Sequence, residues 1–162
     1  MTRFEGEVVR LLNRFFEDNK IQAIAYRVKQ SHFTSQVVDV LVDSPHREYY
    51  LAIECKSLTL STGVKRLYFT QHFTTDKEGI HQIEKISQFI KKSGRTGLVV
   101  VELKGGRGHS NSMHVMCWEM VEQKYRSEEV GINIQDIKDM PDLRKSLEDG
   151  KWMFGCMEYN GE

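Results

Sequence analysis

The sequence predicts an α/β protein in which a central mixed β-sheet is flanked by helices. Two observations predict this class. Short runs rich in Val, Ile and Leu, typical of buried strands, are separated by segments whose apolar residues recur at the period of a helix. In chain order these segments are one helix, three strands, a second helix and two further strands. Because the second helix lies between strands, we expect one helix–strand unit to cross over the sheet.

Length and composition suit a single globular domain. The chain has 162 residues, of which 40% are hydrophobic and 28% are charged, as in ordinary soluble proteins. No apolar run reaches the roughly 18 residues of a membrane span, and the charged N-terminus lacks the apolar core of a signal peptide. We therefore expect a cytoplasmic protein without a membrane partner.

Two helices are defined by an apolar stripe. Thr2 can cap a first helix that runs to about Asn19, and its apolar residues fall on one face: Val8, Leu11, Leu12, Phe15 and Phe16. A second helix is predicted over residues 79–93, with Gly94 at the position of a C-cap. Its stripe consists of Ile80, Ile83, Ile86, Phe89 and Ile90.

Five strands accompany these helices. The predicted strands cover residues 21–28, 37–42, 49–56, 98–103 and 113–118. Residues 57–78 form a long connection without predicted structure, and such connections are often functional. Its mixture of cations and aromatic residues is typical either of a segment that contacts nucleic acid or of an edge strand that packs a dimer.

Three charged residues interrupt the apolar strands. Asp39 lies in the second strand, and Glu54 and Lys56 share one face of the third because side chains alternate along a strand. If the two strands pair as a hairpin, two carboxylates and one ammonium meet on an otherwise apolar sheet. Burying charge without a partner costs several kcal/mol or more. One interpretation is a structural ion pair; the other is a site for a hard divalent cation such as Mg²⁺ or Mn²⁺.

Asp39, followed some fifteen residues later by Glu54-Cys55-Lys56, resembles the signature of the PD-(D/E)xK nuclease superfamily, although Val38 replaces the usual Pro. The segments on both sides are most similar to the archaeal Holliday junction resolvases. Residues 4–12, FEGEVVRLL, resemble their first helix. Downstream, Leu67-Tyr68-Phe69 and His81-Gln82-Ile83 resemble the segments that follow the E-x-K strand. The similarity spans roughly residues 3 to 118.

This resemblance implies a restriction-endonuclease-like core, with the order αβββαββ, that hydrolyses DNA phosphodiester bonds with Mg²⁺ or Mn²⁺. The implied metal ligands are Glu5, Asp39, Glu54 and the carbonyl of Cys55. Glu7 is the second choice in place of Glu5, and Glu5 could instead complement the helix dipole. Lys56 would orient the attacking water or stabilise developing charge. Gln82 would contact the phosphate or the water, which completes the catalytic set.

The resemblance also implies a DNA partner, expected to be branched or junction DNA, and a homodimer. Arg27 and Ser35 match DNA-contacting positions of the family, and Lys65 and Arg66 are further candidates. Residues 1–118 hold 17 Lys and Arg against 12 Asp and Glu, whereas residues 119–162 hold 6 against 11. The part with the signature is therefore modestly basic, although the whole chain is neutral.

Residues 119–162 form an acidic extension, which we expect to pack on the same domain as the nuclease-like core of residues 1–118. Short helices are predicted over residues 119–127 and 134–149, the latter broken at Pro141. Trp152, Met153 and Phe154 could dock the extension on the core or on a second subunit. The glycine-rich loop at residues 104–112 lacks the Lys-Ser/Thr of a P-loop, so no nucleotide cofactor is expected.

Three alternatives to a junction-specific nuclease stay open. The first is a restriction- or repair-type nuclease of the same superfamily, because this chain is longer and less basic than the resolvases it resembles. The second is a nucleic-acid-binding subunit that keeps the fold without catalysis. The third is an unrelated α/β protein in which Asp39, Glu54 and Lys56 form an ion-pair network.

Overall fold

A computed structural model describes residues 3–29, 37–152 and 154 of the chain. Its helices are α1 (Arg3–Asp18), α2 (Gln82–Ser93), α3 (Trp118–Arg126), α4 (Ile134–Lys138) and α5 (Leu143–Glu148). Its strands are β1 (Ile24–Arg27), β2 (Val40–Asp43), β3 (Leu51–Thr59), β4 (Arg66–Tyr68), β5 (Thr96–Lys104), β6 (Ser112–Cys117) and β7 (Gly131–Asn133). Single 3₁₀ turns lie at Arg47–Tyr49 and Leu60–Thr62.

Five strands form the central sheet in the order β1-β2-β3-β5-β6. Only β3 and β5 pair in parallel, and the other neighbours are antiparallel. The parallel pair requires a crossover connection, and α2 lies within it. The predicted mixed sheet with the order αβββαββ is therefore confirmed.

The sheet separates two apolar clusters. On one face α1 buries its stripe against β2, β3 and β5, with Val8, Leu12 and Phe16 at most 1% exposed. On the other face α2 and α3 pack on alternate residues of β3 and β5, with Ile83 and Val121 among the buried side chains. Burial on both faces explains the continuous apolar runs of the central strands.

Several predicted boundaries are wrong. β1 is shorter than residues 21–28, β2 begins one residue after Asp39, and β3 continues to Thr59. Trp118 begins α3 instead of ending the last strand. Residues 57–78 are not structureless, because β4 lies within them and pairs with β7, about sixty residues later in the chain. Pairing between such distant segments leaves no local signal in the sequence.

The acidic extension packs on the rest of the chain. The Val115 N–H donates to the Pro141 carbonyl at 3.0 Å, so the chain beside Pro141 lies along β6. The Trp152 ring stacks on Phe15 with 5.7 Å between centroids, and Phe154 is buried. Met153 lies outside the described residues. The boundary at residue 118 stays a prediction.

No helix among those described is both long and apolar enough to cross a lipid bilayer.

Candidate active site

Asp39 and Glu54 meet where β2 joins β3. The Asp39 N–H donates to the Ile53 carbonyl at 3.2 Å, which aligns Asp39 with the middle of β3. The Asp39 Oδ2 in turn accepts the Cys55 N–H at 2.8 Å. These two bonds hold the Asp39 carboxylate against the Glu54–Cys55 peptide, and its side chain also hydrogen-bonds Glu54. The predicted convergence of two acids on an apolar sheet is thus present.

Glu54 is deeply buried, with 3% of its surface exposed. Burial raises the pKa of its carboxyl well above the usual range, and the hydrogen bond and negative charge of Asp39 raise it further. The ammonium of Lys56 lowers the pKa of Glu54, but its Nζ lies 4.0 Å from the Glu54 Oε1. The pair of acids is therefore only partly compensated by protein charge.

Lys56 lies on the same sheet face as Glu54, as the alternation of side chains predicts. Its Nζ is 4.3 Å from the centroid of the Phe73 ring, a cation–π contact. Only 16% of the Lys56 side chain is exposed. The amine is thus positioned by an aromatic ring on one side and by the carboxylate on the other.

Gln82, the first residue of α2, joins the same cluster. Its Nε2 donates to the Glu54 Oε2 at 3.2 Å. Its Oε1 accepts the Thr74 N–H at 3.1 Å, which fixes the amide in one orientation. The helix therefore contributes a polar group to the site that the strands form.

Glu5 and Glu7 point to different partners. The Glu5 Oε2 accepts from the Arg27 Nη2 at 2.7 Å, and its charge is close enough to raise the pKa of Glu54. Glu7 is paired with Arg144 of α5. Of the two candidates, Glu5 is the one that lies towards the Asp39–Glu54 pair.

The predicted DNA-contacting residues do not form one group. Arg27 ends β1 and is held by Glu5. Lys65 is exposed just before β4, and Arg66 is partly exposed within it. Within the described residues, neither of these two cations contacts the carboxylates. Ser35 lies outside the described residues.

Two neighbours of Lys56 were not identified as site residues from the sequence. Phe73 provides the ring beneath the amine. His72 lies close enough for Lys56 to lower the pKa of its imidazole, which burial already lowers. Its Nδ1 accepts the Tyr68 N–H at 2.7 Å, so the neutral ring carries its proton on Nε2. Both residues lie in the long connection, where spacing gives no indication of what they contact.

The donor set fits a hard divalent cation. In the described part of the chain, no three His, Cys, Asp or Glu side chains are grouped so that they could hold a metal ion. Mg²⁺, however, is usually bound by one or two carboxylates, with water and substrate phosphate in the other positions. Asp39 and Glu54 meet that requirement. Their mutual repulsion in a buried position is what a cation would relieve.

The central sheet has five strands in mixed orientation, and Asp39 lies just before its second strand while Glu54 lies in its third. The solved structure of Archaeoglobus fulgidus Hjc, described as a Holliday junction resolvase from an archaeal hyperthermophile, matches with a TM-score of 0.56. The alignment covers 92% of this chain and 99% of that chain at 17% identity. The resemblance to the archaeal Holliday junction resolvases is therefore confirmed for the fold. The sequence matches no protein-family model and no curated protein.

Proposed function

We propose that the protein is a metal-dependent DNA endonuclease, structure-specific in the manner of a Holliday junction resolvase. The observation that supports this proposal most directly is the Asp39 carboxylate held on the Cys55 N–H beside buried Glu54, with Lys56 on the same strand face, on a fold shared with a resolvase. A structural ion pair is the weaker account, because Glu54 is buried beside a second acid while the Lys56 Nζ lies 4.0 Å away. A buried carboxyl whose pKa is raised by burial and by a neighbouring acid is typical of a functional site.

Asp39, Glu54 and the Cys55 carbonyl would hold Mg²⁺ or Mn²⁺, with Glu5 as a third carboxylate if it leaves Arg27. The ion would supply positive charge at the scissile phosphate and lower the pKa of a coordinated water. Lys56 would stabilise charge on the phosphate or orient the attacking water. The fixed amide of Gln82 would keep Glu54 in place.

The proposed substrate is branched DNA, and the proposed assembly is a homodimer. A two-fold dimer would present two equivalent sites to the two strands of a four-way junction. A restriction- or repair-type nuclease of the same fold is the runner-up, since a fold shared at 17% identity does not determine the preferred DNA structure.

Cleavage of labelled four-way junction, flap and linear duplex DNA in Mg²⁺, Mn²⁺ or EDTA tests this proposal. We expect cutting of the junction only with metal. Glu54→Ala and Lys56→Ala should each abolish cleavage while junction binding is retained. The controls Glu17→Ala and Lys92→Ala remove the same charges at exposed positions and should cut normally.

The outcomes separate the alternatives. Preferential cutting of the flap or the duplex would assign a repair- or restriction-type nuclease. Binding of the wild-type protein without cleavage of any substrate would indicate a non-catalytic subunit. Normal cleavage by Glu54→Ala or Lys56→Ala would refute the proposed site.

A further inference from the structure

We propose that the glycine-rich loop after β5, residues 104–111, binds the DNA phosphate backbone beside the active site. This inference rests on the proposed function, because it assigns a second contact surface to the same substrate. The loop lies outside the catalytic cluster, and its sequence, KGGRGHSN, lacks the Lys-Ser/Thr of a nucleotide-binding P-loop.

The sheet register places the loop next to the catalytic strand. β3 and β5 run in parallel, with Lys56 opposite Val101 and Thr59 opposite Lys104. At about 3.3 Å per residue, Lys104 lies about 10 Å beyond Lys56 along the strands, and alternation places its side chain on the opposite sheet face from Lys56. A Cβ built on Gly106 would be 3.9 Å from the Ser61 Cβ, so the loop returns over the turn that follows β3.

Three glycines give the loop a defined shape. The His109 N–H donates to the Gly106 carbonyl at 3.1 Å, which closes a tight turn with Arg107 at its second position. Gly106 and Gly108 have φ angles of 87° and 82°, in the region that other residues rarely adopt. At Gly105 an added Cβ would lie 2.6 Å from the His109 Cβ. The side chain of Arg107 therefore stands at the tip.

The loop is positively charged and its cations are accessible. Residues 104–112 contain Lys104 and Arg107 but no Asp or Glu, and both cations are exposed. Arg107 makes no ion pair or hydrogen bond within the described part of the chain. Lys104 has only a long, half-exposed contact with Glu102, at 3.9 Å. Lys65, four residues after Ser61 in the chain, is a third exposed cation.

The chemistry of the loop suits a nucleic-acid backbone. An exposed guanidinium on a turn with free glycine N–H groups can contact phosphate oxygens without reading the bases.

The double variant Lys104→Ala/Arg107→Ala tests the assignment. Its affinity for a labelled four-way junction is measured in EDTA across a series of NaCl concentrations. Each lost phosphate contact should reduce the slope of log K against log salt by about 0.9, and affinity should fall at low salt. The single-turnover cleavage rate with saturating enzyme should not change. Arg14→Ala/Lys92→Ala removes two exposed cations from the other ends of α1 and α2 and should bind like the wild type.

A second variant separates charge from shape. Gly106→Ala/Gly108→Ala keeps both cations but forces residues with a Cβ into a left-handed backbone, so junction affinity should also fall. An unchanged salt slope in Lys104→Ala/Arg107→Ala, with a wild-type protein that binds DNA, would overturn the loop assignment and leave the nuclease proposal intact. Loss of self-association with unchanged DNA affinity would assign the loop to a protein interface. A wild-type protein that neither binds nor cuts DNA would refute both proposals.

Discussion

Two buried carboxylates of this protein differ in one neighbour. Glu102 is 6% exposed and accepts a hydrogen bond from the Ser57 hydroxyl at 3.0 Å, with Lys104 nearby. Glu54 is buried to a similar extent and also has a hydrogen-bond donor, Gln82, and an ammonium, Lys56, but a second acid, Asp39, lies beside it. A protein that used Glu54 only for stability would gain from losing its charge. The unfavourable position of Glu54 is therefore better explained by a function than by folding.

Glu54→Gln should stabilise the metal-free protein. Because the folded-state pKa of Glu54 is raised above its unfolded value, the wild type loses stability as pH rises through that interval. The glutamine carries no charge, so the two proteins should be equally stable near pH 4 and the variant should become more stable at higher pH. We expect the free energy of unfolding to rise by an amount on the order of 1 to 4 kcal/mol, the range for buried ion pairs that are replaced by uncharged residues.

Urea unfolding in EDTA at several pH values measures this difference. Glu102→Gln is the matched control, and it should not stabilise the protein because its carboxylate faces the Ser57 hydroxyl and the Lys104 ammonium instead of a second acid. A Glu54→Gln variant no more stable than the wild type at pH 8 would show that the charge of Glu54 is compensated within the protein.

At the scale of secondary structure, the sequence predicts those features that depend on residues close together in the chain. The Gly94 C-cap and the stripe of α2 from Ile83 onward are predicted correctly, since both depend on residues within a few turns of each other. The start is wrong: the helix begins at Gln82, and Ile80 lies outside it and is exposed. The pairing of β4 with β7 was missed because each strand has three residues and lies far from its partner. Phe73 beneath Lys56 was missed for the same reason. Side-chain alternation did predict that Glu54 and Lys56 share a face.

Gly131→Ala tests the importance of the small β4–β7 sheet. A Cβ on Gly131 would lie 2.2 Å from the Leu67 carbonyl oxygen, so the two strands would have to separate. Overpacking of this kind costs about 1 to 3 kcal/mol, occasionally more, and thermal or urea unfolding measures it. Gly6→Ala is the control: nothing lies within 4 Å of its added Cβ, and alanine in a helix should stabilise by roughly 0.5 to 1 kcal/mol. Equal effects of the two substitutions would contradict the observed pairing.

At the scale of the whole molecule, both edges of the central sheet are covered. The Asn13 side chain of α1 accepts the Ala25 N–H and donates to the Ala25 carbonyl, occupying the outer side of β1. On the other edge, Pro141 and Asp142 bond to the N–H groups of Val115 and Met113. Open edges invite pairing with other chains. A homodimer of this protein is therefore expected to use helix faces or loops instead of strand-to-strand pairing.

The Asp142 carboxylate bonds the sheet edge with one oxygen and caps α5 with the other, and its removal should expose that edge. Its Oδ2 accepts the Met113 N–H at 3.2 Å, and its Oδ1 accepts the Lys145 N–H at 2.9 Å as the N-cap of α5. Asp142→Ala should cost about 1 kcal/mol for the cap and about 1 to 3 kcal/mol for the unsatisfied Met113 N–H. Amide hydrogen exchange should accelerate at Met113 and Val115, and aggregation on heating should increase.

Asp139→Ala, which removes an exposed carboxylate with a single 3.4 Å contact to Gln135, should change neither. Unchanged exchange at both β6 amides in Asp142→Ala would show that other contacts of the extension, such as Trp152 on Phe15, are sufficient to keep the edge closed.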